Sequence, residues 1–288
     1  MSAPVLHSLP PRAGIGLKSS HYADVLAAAE RGTAPAWAEV HPQNYFGAGG
    51  PPHRWLTAIG EHLPLSFHSV GLSIGSAAGV DLDELEVLAA LCDRYGPAMV
   101  SDHLSWSNGP KDKFPDLLPI PYTHAALDHF VREVGRVQDR LGRTILIENP
   151  SRYLAYAQSD WDEVEFLHML CRRSGCGLLL DINNVEVSAF NLGLDPVVWL
   201  DAFDPGLVGE IHVAGHTVKD DDMGGMIAID DHGSSVRSSC WGLLARFLAR
   251  GGTKPVLVEW DTDVPDYATL MGEARAADAL LMSEIAHA

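Results

Sequence analysis

Residues 177–184, GLLLDINN, set an apolar run directly against a carboxylate and two amides. A short apolar run opened by glycine suits a strand buried on both faces of a parallel sheet. Asp181, Asn183 and Asn184 at its end are not packing residues, because burying polar groups without partners is costly. The pattern recurs along the chain. Further strand candidates lie at Gly14–Leu17, Ala36–His41, Leu65–Val70, Met99–Ser105, Thr144–Pro150, Val208–His216 and Pro255–Asp261, eight in all.

The segments between them carry helix signals. Asp81-x-x-Glu84 has the form of a capping box ahead of Leu85, Leu88 and Leu91, and Gly96 closes that segment. Pro121–Leu141 carries Leu127, Val131, Val134, Val137 and Leu141 at helical spacing and stops at Gly142. Trp161–Ser174 before Gly175, and Arg237–Arg250 before Gly251-Gly252, end in the same manner. Strand alternating with helix eight times over about 250 residues is the arithmetic of a (β/α)8 TIM barrel, an α/β fold. A doubly wound sheet is the alternative, but no glycine-rich nucleotide fingerprint follows the first strand. The Pro-rich residues 1–13 read as an extended N-terminal arm, and 14–288 as a single barrel domain. Two long connections, Ser107–Pro121 and Thr217–Asp230, follow strand ends and read as functional loops.

Composition narrows the function. The chain of 288 residues has 38 Asp+Glu against 20 Lys+Arg, a formal charge of −18. Nucleic-acid binding needs a basic footprint, so that partner class is excluded. No window is apolar for long enough to span a bilayer, and the start of the chain lacks the pattern of a secretory signal. Cys92, Cys171, Cys176 and Cys240 form no framework spacing and read as reduced thiols of a cytoplasmic protein. Cys171 and Cys176 fall away from the strand ends and read as packing residues.

In a barrel the carboxyl ends of the strands converge on one mouth. Glu39 and His41, His68, Asp102 and His103, Glu148 and Asn149, Asp181 with two asparagines, His212, and Glu259 with Asp261 sit at seven of the eight ends. Asp230 and His232 follow in the seventh loop. A hydrogen-bonded polar plug explains any one of these residues but not so many together. Carboxylates in that number repel unless cations lie among them. His68, His103, Glu148, Asp181, Asn184, His212, Asp230, His232 and Glu259 offer nine donor side chains. At three or four protein ligands per ion, they predict two or three ions. Imidazole mixed with carboxylate, and no thiolate, suits iron, manganese or zinc. A metal-free carboxylate pair leaves the histidines without a role. Trp106 and Trp260, directly after donor-bearing strands, read as substrate-pocket walls.

HSVGLSIGS, VSDHLSW, DLLPIPYT, IENPS, LLLDINN, EIHVAGH, IDDHGS and VEWDTDVP occur in this order, and they resemble the multinuclear non-haem iron-dependent oxidative enzymes. The resemblance runs from Gly14 to about Leu280. It implies a xylose-isomerase-like TIM barrel, two or three iron ions in mixed ferrous and ferric states, and dioxygen as cosubstrate. It implies a substrate as well: a cysteine of a ribosomally made precursor peptide, altered by β-carbon excision or by oxazolone–thioamide formation. A small leader-binding partner protein, forming a heterodimer, is the implied companion. Carried over, the resemblance assigns the eight His, Asp and Glu donors above as iron ligands, joined by an asparagine, Asn184 ahead of Asn183. Asp102, His103 and Asp181 are the implied catalytic residues; Glu39, His41 and Asn44, like Trp106, are implied to bind substrate. The form of EVHPQNYF and DHLSW is nearest the β-carbon-excising members. The rival readings are a zinc-dependent barrel hydrolase or isomerase acting on a phosphate ester or sugar, and a non-catalytic iron-binding protein.

Overall fold

A computed structural model describes residues 9–109, 112–222 and 224–287. Most of the expected N-terminal arm, 1–8, lies outside the described residues. Twelve strands are present among them: β1 Ala13–Gly16, β2 Ala38–Val40, β3 Leu65–His68, β4 Met99–His103, β5 Trp106–Asn108, β6 Lys113–Leu118, β7 Leu146–Glu148, β8 Gly177–Asp181, β9 Val208–Val213, β10 Thr217–Asp220, β11 Met226–Ile229 and β12 Val256–Val258. Eight of them close into a parallel barrel in the order β1-β12-β9-β8-β7-β4-β3-β2. The (β/α)8 reading holds.

The helices are α1 Tyr22–Glu30, α2 Pro51–Gly60, α3 Leu82–Tyr95, α4 His124–Leu141, α5 Glu163–Ser174, α6 Ile182–Leu192, α7 Pro196–Ala202, α8 Ser238–Gly251 and α9 Tyr267–His287. Their ends obey local chemistry. Asp81, Thr123 and Asp162 accept N–H bonds from Glu84, Ala126 and Glu165 at the starts of α3, α4 and α5. Gly96, Gly142 and Gly175 take the left-handed conformation at their ends. No helix among the described residues is long and apolar enough to cross a membrane.

Two expectations change. The long connections are β-hairpins: β5 pairs antiparallel with β6, and β10 with β11. The GLLLDINN strand ends at Asp181, and Ile182, Asn183 and Asn184 form the first turn of α6. Asp181 caps that helix by accepting the Asn184 N–H at 2.7 Å. A capping carboxylate satisfies an otherwise orphaned donor, and this bond turns the chain out of the sheet.

The chain divides into two compact units, 40–150 with 156–179, and 10–39 with 151–155 and the chain from 180 onward. The first centres on Phe67, Leu85, Leu88, Phe130 and Phe166, all buried. The second centres on Ile15, Trp37, Leu180, Val213, Phe247 and Leu257. Gly14 is required there, because a Cβ at that position would run into the Trp37 ring.

Candidate metal centres

The first unit gathers His68, His103 and Glu148 through strand register. His68 pairs with Ser101 across β3 and β4, and His103 pairs with Glu148 across β4 and β7. Ser101 and His103, two residues apart on β4, share a face. The three donors therefore meet on one side of three adjacent strands. His68 Nε2 lies 3.2 Å from His103 Nε2 and 3.1 Å from Glu148 Oε2; His103 Nε2 lies 3.2 Å from that same oxygen. This is a nearly equilateral triangle of buried donor atoms. Three neighbouring ligands about 2.1 Å from one ion, at right angles, are spaced about 3 Å apart. His68 Nδ1 lies 2.8 Å from Ser101 Oγ, a contact that holds the ring with Nε2 toward the other two donors. Two imidazoles and one carboxylate on one face is the ligand set of non-haem Fe(II) oxygenases.

Asp102 points away from this triangle and is 2% exposed. It accepts the His103 N–H at 2.6 Å. Burial pushes its pKa up to about 7, against the hydrogen bonds from His103 and the Ser69 hydroxyl, which lower it. His41 is half-buried, with Nδ1 3.2 Å from the His68 carbonyl oxygen. Asn44 is exposed on a short 3-10 turn. Trp106 opens β5, donates from Nε1 to the Pro119 carbonyl at 3.0 Å, and meets Phe114 edge-on.

The second unit holds two further groups. Asp181, His232 and Glu259 each offer a donor atom, all within 4.8 Å of one another, and so do Glu39, Glu210 and His212. His212 is fully buried. Its Nδ1 lies 3.2 Å from Glu259, and its Nε2 lies 3.4 Å from Glu39 and 3.5 Å from Glu210. Burial opposes charge on this ring, yet Glu39, Glu210 and Glu259 outweigh it and hold its pKa well above the ordinary imidazole value. Burial likewise opposes charge on His232, and Glu259 and Asp230 overcome it. A pocket that draws protons onto two buried imidazoles is one that draws cations. Glu210 was not among the candidates. It lies inside β9 rather than at its end, two residues before His212 and on the same face. Burial, with the adjacent Glu39 carboxylate, raises its pKa to about 7. The Glu-x-His alternation was the signal that marks it.

The structure thus brings His68, His103 and Glu148 together in one unit. In the other it brings together Asp181, His232 and Glu259, with His212 beside Glu259. Asp230 sits beside His232, with its Oδ1 2.7 Å from Nε2. Glu39 is buried against His212. The two asparagines differ. The Asn183 amide reaches Asp230 and His216, whereas Asn184 is buried one residue on. Cys171 and Cys176 are buried with sulfurs 3.8 Å apart, and Trp260 is buried after β12.

A family model described as "RiPP precursor modification enzyme MbnB/TglH/ChrH" matches residues 12–282. A UPF0276 protein of Caulobacter sp. (strain K31) is 49% identical over 273 residues, covering 95% of this chain and 97% of the relative. A UPF0276 protein of Chromobacterium violaceum is 45% identical over 277 residues, covering 96% and 97%. Among solved structures, an L-ribulose 3-epimerase superposes with a TM-score of 0.60 at 16% identity, covering 96% of each chain. Endonuclease IV from Thermus thermophilus superposes with a TM-score of 0.57 at 17% identity, covering 96% and 100%. Identities this low speak to the fold alone, and the fold they share is the xylose-isomerase-like TIM barrel.

Proposed function

The chain belongs to the MbnB/TglH/ChrH family of RiPP precursor modification enzymes, and from that premise we propose that it uses iron and dioxygen to oxidise a cysteine of a ribosomally made precursor peptide. The observation that carries the reading is the triangle of His68, His103 and Glu148, with edges of 3.1 to 3.2 Å. Catalytic zinc sites use the same two-histidine, one-carboxylate set, so the triangle supports a metal with open positions and the family membership favours ferrous iron there.

His68, His103 and Glu148 would hold one ion. Asp181, His232 and Glu259 would hold a second, with Asn184, Asp230 and His212 contributing from the same unit. Glu39, Glu210 and His212 offer the place for a third. Bound there, iron supplies one-electron chemistry toward dioxygen and a site for the substrate thiolate. The chain's own contribution is geometry and proton management. Ser101 orients the His68 ring, and Asp102 holds the backbone N–H of His103 and keeps a proton within reach of that segment. His41, Asn44 and Trp106, on or beside the segments that carry the first triad, are the residues for contacting the peptide. Of the family outcomes, β-carbon excision is the one to which the EVHPQNYF and DHLSW segments point. A small leader-binding protein is the expected companion.

The test is metal analysis after anaerobic purification, followed by turnover of a cysteine-bearing precursor with and without dioxygen. Two or more iron equivalents with oxygen-dependent loss of the thiol are expected. Zinc alone, or turnover that persists without oxygen, would overturn the reading in favour of a barrel hydrolase or isomerase.

A further inference from the structure

Asn183 is completely buried at the start of α6, and a buried primary amide needs partners at both ends. It has them. Its Nδ2 donates to Asp230 Oδ1 at 2.7 Å, and its Oδ1 lies 2.8 Å from His216 Nδ1. Asp230 Oδ1 in turn lies 2.7 Å from His232 Nε2. The four side chains form one line, from His216 through Asn183 and Asp230 to His232, all in the second unit.

We propose that Asn183 and His216 are positioning residues that hold Asp230, and through it His232, in the orientation needed to bind a metal ion. The inference rests on the metal-dependent reading above and assigns roles to two residues which that reading leaves without one. The direction of each bond follows from the partners. An ionised Asp230 only accepts, so the Asn183 amino group must face it, and the amide oxygen must face His216. His216 then donates from Nδ1, which fixes its tautomer. Turning the amide over would set oxygen against carboxylate and amino group against ring N–H, two repulsive contacts in a buried site. The Asp230 carboxylate is what forbids that flip, and His216 holds the amide oxygen in place.

The residue at the far end needs such support. His232 has φ +46, a left-handed conformation that a non-glycine residue keeps only when its surroundings impose it. Backbone N–H groups of Asp261 and Thr262 both bond its carbonyl oxygen, at 2.8 and 3.2 Å, and fix its main chain. The ring is left to Asp230 Oδ1 at Nε2 and to Glu259 Oε1, 3.5 Å from Nδ1. Asp230, itself one of the proposed donors, meets the ring at Nε2, so fixing its carboxylate fixes the imidazole beside it. The base of the line is anchored too. The Arg237 guanidinium donates to the His216 carbonyl oxygen at 3.2 Å. A Cβ at Gly215 would run into the Ser234 carbonyl oxygen, so only glycine lets this segment reach the chain just after His232.

The test is anaerobic titration with Co(II), read by its visible absorption and by bound stoichiometry, with His103→Ala as a background that removes the first triad. His216→Leu removes the donor. Asn183→Asp keeps the shape but sets a carboxylate against Asp230. Both are expected to weaken the ion held by His232 by roughly ten- to a hundredfold, the usual effect of losing an orienting partner, and to alter its absorption band. The ion on His68, His103 and Glu148 stays unchanged in the His103-containing protein. His216→Gln, which can still donate to Asn183, restores binding. Should His216→Leu fail to fold by circular dichroism, Asn183→Asp and His216→Gln carry the test alone. Variants that titrate like a wild type holding both ions would overturn this inference while leaving the functional reading intact. A wild type that takes up no ion at all would overturn both.

Discussion

At the residue scale, the first triad separates ligands from the groups that orient them. Glu148→Gln keeps the shape of the side chain and removes its charge. It is expected to cost more iron affinity than the roughly 10–100-fold that follows loss of an orienting partner. Ser101→Ala deletes only the hydroxyl beside His68 Nδ1 and should fall within that range. Iron content by plasma emission and the rate of thiol loss check both, and equal effects from the two variants would contradict the division of roles. Most of the nine proposed donors stand at or just beyond the end of an apolar run, which is how the sequence offers them as candidates. Glu210 does not stand at such a position, because it interrupts a strand instead of ending one; its partner Glu39 comes from another strand, and His212 lies two residues on along β9. The sequence puts Asn184 ahead of Asn183 without showing that the Asn183 amide is engaged by Asp230 and His216. His216 closes the seventh strand candidate, but its link to Asp230 through Asn183 had no signal in the sequence.

At the scale of elements, Asp181 performs two tasks that substitution can separate. Its carboxylate caps α6 through the Asn184 N–H and also stands with His232 and Glu259. Asparagine caps a helix about as well as aspartate, whereas alanine does not cap and costs about 1 kcal/mol. Asp181→Asn should therefore keep the stability of the metal-free protein and lose metal, while Asp181→Ala loses both. Urea denaturation of the chelated variants decides, and equal midpoints for the two would remove the capping role. A second tie joins the start of β1 to α9. The Arg12 guanidinium grips Asp278 with two bonds, of 2.9 and 2.6 Å. Burial raises the Asp278 pKa, but Arg12 and the Ala13 N–H outweigh it and leave it below the usual value. A depressed carboxylate stabilises the fold above its unfolded pKa of about 3.9 and loses that contribution as pH falls through the lower, folded value. Asp278→Asn should thus cost up to about 1 kcal/mol at neutral pH. The difference from wild type should vanish only below pH 4, which a pH series of melting curves would show. Strand and helix positions were read with their ends displaced by one to three residues. The hairpins β5–β6 and β10–β11 were missed because Gly109, Gly224 and Gly225 mark turns without saying that the flanking residues pair.

At the scale of the molecule, the fold was the most legible feature, because eight alternations of strand and helix leave few architectures open. The formal charge of −18 has a local meaning as well as a surface one. The second unit buries Glu39, Asp181, Glu210 and Glu259. Folding of the metal-free chain must either protonate these groups or tolerate their repulsion, and a divalent ion relieves both costs. On the proposed metal-dependent reading, metal binding is therefore coupled to folding. Free Fe(II) or Co(II) at 100 times its Kd should stabilise the native state by about 2.7 kcal/mol per independent site. Each kcal/mol is worth about 2–4 °C in Tm for a chain near this size. The gain should shrink as pH falls, because imidazole and carboxylate ligands bind metal only when deprotonated. Calorimetric melts with and without Co(II), at pH 7.5 and again at pH 5.5, measure it. A Tm that does not respond to metal at the higher pH would mean that the buried carboxylates are neutralised by protons alone, and the metal assignment in the second unit would fall.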